Sequence, residues 1–322
     1  MLNKNYLNPD KLKKQATRAG FGDGLNIIAK QNKDVVGLCA DLTGSLKMSK
    51  FAKMYPKRFF EMGVAEQNMA GVAAGLALSG KIPYMGSFSA FSPGRNWEQI
   101  RVSICYNKAN VKIIGSHAGI TVGEDGATHQ ALEDIATTRV LPNMVVINPA
   151  DYEEAKKATI AIGKYIGPVY LRLSRYTSPI FTTKDTAFKI GKGNILQRGK
   201  DVTIFACGIM VYPALLAASK LLKNNIKATV VNLHTIKPLD EKLILKLAET
   251  TGAFVTVEEH QVSGGMGSAV AEFIVKNNLV PIEMLGIEDT FGESGNADKL
   301  LTKYGLTVAN IVKKAKLVVK RK

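Results

Sequence analysis

The sequence predicts an α/β protein of two domains, each a mostly parallel sheet flanked by helices. Short β-branched runs alternate with longer segments of helical period along the whole chain. The alternation is interrupted once, by a polar run near residue 185, and then resumes. At 322 residues and 46% hydrophobic content, the chain can bury a core in each half.

In the first half, "DVVGLCA" from Asp34, "KIPYMGSF" from Lys81, "NVKIIGS" from Asn110, "NMVVINP" from Asn143 and "PVYLRLS" from Pro168 read as buried strands. The intervening "AEQNMAGVAAGLALS", "GRNWEQIRVSICYN" and "DYEEAKKATIAIG" read as helices. "GFGDG" at Gly20 to Gly24 is tempting as a diphosphate motif, but it falls in a predicted helix without the paired asparagines downstream, so it reads as chance. The polar "RYTSPIFTTKDTAFKIGKGN", with Pro179, reads as an interdomain linker. It sets expected boundaries of 1–180 for the first domain, 181–193 for the linker and 194–322 for the second domain. Beyond it, "DVTIFACG", "IKATVVNLH", "GAFVTVEEH" and "PIEMLGI" read as strands, again separated by helices.

Composition narrows the function. The net charge of +16 raises the question of nucleic acid. The lysines are spread along the chain and are dense only at "KLKK" and "KKAKLVVKRK", with no Cys/His finger spacing and no aromatic ribonucleoprotein motif. No nucleic-acid partner is expected; small anionic substrates or an acidic partner subunit account for the charge as well. Runs such as "GVAAGLALSG" and "VTIFACGIM" fall far short of the ~20 residues that cross a bilayer, so no membrane association is expected. The N-terminus lacks a signal-peptide core, and Cys39, Cys105 and Cys207 are an odd set in apolar segments. A cytoplasmic location is expected.

Three stretches carry candidate chemistry. Glu66 opens an Ala- and Gly-rich apolar helix, where it is either a first-turn acid favoured by the helix dipole or a functional acid at a buried seam. Phe88 and Phe91 sit in a Ser- and Gly-rich loop after a strand, as a plug for the domain or as a surface for a flat ring. The run "SHAGITVGEDGATHQALED", Ser116 to Asp134, follows a strand, where open α/β sheets collect ligands. His117, Glu124, Asp125 and His129 in it fit no strong metal-ligand spacing, so no metal site is expected in this chain. What remains is a loop that hydrogen-bonds a polyhydroxylated or carbonyl substrate, its glycines letting backbone approach closely.

"GVAEQNMAGVAAGLALSG", "FSAFSPGRNWEQIR", "SHAGITVGEDGATHQALEDIA" and "VYLRLSR" resemble the pyrimidine-binding domain of transketolases, in order and spacing. "TVEEHQVSGGMGSAVAE" resembles the C-terminal domain of the same family. The resemblance covers nearly the whole chain and implies a thiamine diphosphate enzyme that moves two-carbon ketol units from ketose to aldose phosphates. Complete transketolases carry a further N-terminal domain that holds the cofactor's diphosphate through magnesium. Starting from its own Met1 without that domain, this chain resembles the C-terminal subunit of a split transketolase. That implies an N-terminal partner subunit, magnesium held mainly by the partner, and a heterotetramer of two of each. Pyruvate dehydrogenase beta subunits and deoxyxylulose phosphate synthases share the domains. The "VGEDGATHQ" run with His117 upstream fits the former poorly, and its "GED" triplet favours transketolase over the latter. A non-catalytic scaffold subunit is the alternative from another class.

Residue by residue, the resemblance matches Glu66 to the acid on the cofactor's aminopyrimidine ring nitrogen, whose contact favours the imino tautomer that activates the thiazolium. Phe88 and Phe91 match the aromatic pocket for that ring, and Asp41 a position near the cofactor. Where some members have a third aromatic, this chain has Gly94 and Arg95. His129 matches a histidine near the reactive centre, and His117 and Asp125 match contacts to substrate hydroxyls. Arg175, Arg18 and Ser45 match contacts to the sugar phosphate. His260 and the glycines at 264, 265 and 267 are expected to be structural.

Overall fold

The structure is a computed structural model that describes residues 2–322. Its strands in chain order are β1 (Lys14–Gln15), β2 (Val35–Cys39), β3 (Phe59–Glu61), β4 (Ile82–Phe88), β5 (Lys112–Ser116), β6 (Val145–Ile147) and β7 (Val169–Arg172). There follow β8 (Ser178–Pro179), β9 (Asn194–Gln197), β10 (Val202–Ala206), β11 (Ala228–Asn232), β12 (Thr235–Lys237), β13 (Phe254–Gln261) and β14 (Ile282–Ile287). Each run read as a strand is one. All five residues are buried in β2, β5, β10 and β11, as strands covered by helices on both faces must be.

The first sheet has the order β12-β6-β7-β5-β4-β2-β3 and the second β14-β13-β10-β11-β9. Both are parallel except at one edge, where β12 runs antiparallel to β6 and β9 antiparallel to β11. The two sheets therefore do not divide at the polar run: β12, from the second half, completes the first sheet. The short β1 pairs with β8. One buried cluster runs from Met85 and Ile113 of the first sheet to Phe205, Val231 and Phe254 of the second.

Residues 181–193 are not a loose tether. Asp151, the N-cap of the helix Tyr152–Ile162, accepts the N–H groups of Phe181 and Thr182, and Lys157 Nζ donates to the carbonyls of Thr183 and Thr186. The segment "GRNWEQIRVSICYN" becomes helical only at Trp97 and winds as a π-helix over Ile100–Tyr106.

The "GFGDG" glycines have a steric purpose. They lie inside the helix Thr17–Gln31, where a Cβ at Gly20 would sit 2.2 Å from the Tyr152 carbonyl oxygen and one at Gly24 2.7 Å from that of Lys156. Without side chains at these positions, the helix lies directly on the helix Tyr152–Ile162. In the helix Glu66–Leu78, Ala70, Ala73 and Ala74 are buried, while a Cβ at Gly71 or Gly75 would meet nothing within 4 Å. The glycine face of that helix, with Val64 and Leu78 about two-thirds exposed beside it, is open.

Candidate active site

Strands β2, β4 and β5 lie side by side, and the chain leaving each strand's carboxyl end supplies a part of the site. Beyond β4 the loop turns through Phe88 and Phe91; beyond β5 it passes through His117, Asp125 and His129. Glu66, the first residue of its helix, is only 3% exposed. Its carboxylate accepts from Arg95 Nη1, at 3.0 and 3.2 Å to the two oxygens, and from Ser87 Oγ at 3.3 Å. Asn96 Nδ2 donates to the Glu66 carbonyl and to Ser92 Oγ, tying the loop to the helix. A buried carboxylate needs such partners, since burial alone would favour its neutral form.

The aromatic residues form one stack. Phe88 and Phe91 lie with ring centroids 6.1 Å apart and planes at 20°. His117 stacks on Phe88 at 3.8 Å, and His129 meets Phe91 edge-on at 5.2 Å. The guanidinium of Arg95 lies over Phe91 with its carbon 4.1 Å from the centroid.

His117 is buried and sits at φ +54°. Its pKa is pushed down to about 3, by burial first and then by the charges of Arg18 and Arg175, so the ring is neutral. Arg18 Nη1 lies 3.1 Å from Nε2, and a guanidinium only donates. Nε2 is therefore the acceptor and Nδ1 carries the proton, which it donates to Ser116 Oγ at 2.9 Å. His129, half-buried, has Nδ1 2.9 Å from Thr128 Oγ1.

Arg18 and Arg175 both bear on His117, and Arg175 in turn lowers the pKa of Arg18, after burial. Arg175 donates to Asp125 Oδ2 at 3.0 Å and lies 3.7 Å from Glu124. Arg18 reaches Ser45 through the backbone carbonyl, not the hydroxyl, at 2.8 Å. Arg18 Nε is buried without a partner among the described residues. Lys47 also bears on His117, so three cations gather around that ring.

Asp41 sits just past β2 at φ +58°, and its backbone N–H donates to Glu61. Glu61 also accepts from Thr43 and from the Gly63 N–H, so it fixes the turn that carries Asp41 and Ser45. Sequence reasoning missed Glu61, and it missed Arg95 as the partner of Glu66. It also missed Glu259, whose buried carboxylate reaches from the second domain to the Thr121 N–H at 2.6 Å. A Cβ at Gly119 would collide with that carboxylate, so the glycine there is a requirement of close approach. His260, by contrast, accepts the N–H groups of Ile135 and Ala136 through Nε2, a structural contact.

An acid, an aromatic stack, two histidines and a cluster of cations thus meet at the adjoining strand ends of an α/β protein, where open parallel sheets collect ligands. Residues 13–179 match the transketolase pyrimidine-binding domain and residues 191–311 the transketolase C-terminal domain. The chain belongs to the transketolase family. It is 50% identical over 300 residues to a protein of Methanocaldococcus jannaschii named "Putative transketolase C-terminal section", covering 92% of this chain and 94% of that one. It is 43% identical to a 6-deoxy-6-sulfo-D-fructose transketolase subunit, SqwH, of a Clostridium species, covering 97% of each. Among solved structures it is similar to a split-gene transketolase described as an inactive beta4 tetramer, with a TM-score of 0.89, 47% identity, and 95% and 99% of the two chains covered. No helix among the described residues is long and apolar enough to cross a membrane.

Proposed function

We propose that this chain is the C-terminal subunit of a two-polypeptide transketolase, moving a two-carbon ketol unit from a ketose phosphate to an aldose phosphate. The observation that carries the reading is the buried carboxylate of Glu66 beside the exposed-edge stack of Phe91 and His129. Thiamine diphosphate, when bound, supplies the nucleophilic carbon and electron sink that ketol transfer needs.

The fit of this chain to the cofactor's pyrimidine ring is supported by its own atoms. A flat cation with N–H donors, the Arg95 guanidinium, already lies on Phe91 and donates to Glu66. Under this reading Glu66 holds a proton at the ring nitrogen, and Phe88 and Phe91 shield the ring face from water. His129 offers Nε2 to the substrate oxygen near the reacting carbon. His117, neutral and anchored through both nitrogens, gives the substrate loop its shape, and Asp125 accepts from sugar hydroxyls. Asp41 lies toward the cofactor. Arg175, Arg18 and the turn at Ser45 meet the anionic end of the sugar. The relative named for a sulfosugar makes phosphate and sulfonate both reasonable at that end.

The diphosphate and its magnesium belong, in this proposal, to an N-terminal partner subunit, in a cytoplasmic heterotetramer of two of each. The open face of Gly71, Gly75, Val64 and Leu78 next to Glu66 supports a protein partner at this edge. So do relatives named as a section and as a subunit.

The test is a coupled assay with thiamine diphosphate, magnesium, xylulose 5-phosphate and ribose 5-phosphate. It is run on the chain alone, and after mixing with the product of the neighbouring reading frame. Activity is expected only in the mixture, and Glu66→Ala should lower it by at least about a hundredfold. Retention of most activity in that variant would sink the role given to Glu66.

A further inference from the structure

The Phe91 ring, partly exposed, has a neighbour on each of three sides. Phe88 stacks on one side, His129 meets an edge, and Arg95 covers the open face. The same guanidinium donates to both oxygens of Glu66. One ring face cannot hold two flat partners at once. We infer that Arg95 is a stand-in for the cofactor's pyrimidine ring, covering Phe91 and satisfying Glu66 until the ring displaces it. This rests on the reading of the pocket given above.

The local build suits a side chain that must leave while its backbone stays. Arg95 N donates to the Phe91 carbonyl at 2.8 Å, and Gln67 Nε2 donates to the Arg95 carbonyl at 3.3 Å. Gly94 makes the turn possible, since a Cβ there would stand 2.1 Å from the Ala90 carbonyl oxygen. The side chain beyond this anchor is 47% exposed, with open solvent to swing into, whereas Glu66 has none. Once Arg95 leaves, Ser87 at 3.3 Å is the remaining recorded side-chain donor to Glu66. A vacant slot is therefore costly, and Arg95 removes that cost in the free subunit at the expense of cofactor affinity.

The test is calorimetric titration of thiamine diphosphate, with magnesium, into the assembled protein carrying wild-type chain, Arg95→Ala, Arg95→Lys or Glu66→Gln. Arg95→Ala should bind the cofactor at least about fivefold more tightly, the scale of one half-exposed ion pair plus one cation–π contact. Arg95→Lys, which keeps the charge but loses the flat stack, should fall between. The lone Arg95→Ala chain should melt below wild type, because Glu66 loses its main partner. Cofactor binding unchanged or weakened in Arg95→Ala overturns the inference, and the lysine variant decides if the alanine variant does not assemble. Glu66→Gln separates the two readings: unchanged binding there overturns the pocket itself, whereas weakened binding there with tighter binding in Arg95→Ala supports the inference, and weakened binding there without it overturns the role of Arg95 alone.

Discussion

Burial keeps two histidines neutral here for different ends. His117 is held in one tautomer by Arg18 and Ser116, which makes it a fixed part of the site. His234 is fully buried and stacked on Phe188; its Nδ1 meets Thr235 Oγ1, and its Nε2 has no partner among the described residues. Its pKa is pushed down to about 4 by burial. A base with a depressed folded pKa stabilises the fold above its unfolded value and loses that contribution as pH falls, because the unfolded chain takes up the proton first. His234→Phe keeps the stack and removes the titration. Urea midpoints should show the variant gaining on wild type between pH 6.5 and 4.5, by on the order of 2 kcal/mol, with no pH-dependent difference above pH 7.5. A constant gap across that range would refute the assignment. At this scale Glu66, Phe91, His117 and Arg175 were open to sequence reading because each sits in a motif. Arg95, Glu61 and Glu259 were not, because what defines them is a partner 20 to 138 residues away.

Among the elements, β-branched runs declared themselves, even the three-residue β6 with its Val-Val-Ile, while β3 and β12, as short and without such a run, show no period. The glycines of the helix Thr17–Gln31 expose a related blind spot: a residue chosen for the helix beside it looks like accident in its own helix. Gly20→Ala gains up to about 1 kcal/mol of helix propensity, yet it must push a Cβ against the Tyr152 carbonyl. A net loss of about 2 kcal/mol or more in denaturant stability is expected. Gly71→Ala is the control, since its Cβ enters open space. It should leave the lone chain as stable or slightly more so, and should weaken assembly if the partner packs on that face, measurable by sedimentation. Loss of stability in the lone Gly71→Ala chain would contradict the open face.

At the scale of the molecule, the second domain reaches across to hold the first domain's loop. Glu259 grips the Thr121 N–H, Gln130 Nε2 donates to the Glu293 carbonyl, and Asn232 Nδ2 donates to Glu154. Within the junction, Arg172 joins Asp134 at 2.8 Å and the Glu259 carbonyl at 2.9 Å. A fragment ending at residue 190 is therefore expected to lack a cooperative melt and to aggregate, with β6 left as a bare sheet edge. A soluble fragment with a sharp transition would show the junction to be dispensable.

Strand β12 gives that junction a further meaning. Thr235 and Lys237 pair with Ile147 and Val146, and Lys237 Nζ donates to the Arg139 carbonyl. Amide exchange at Val146 and Ile147 should thus follow the opening of residues that lie some ninety positions later in the chain. A lesion assigned by its number to one domain would be felt as fragility of the other, and neither can be repaired, moved or exchanged in isolation.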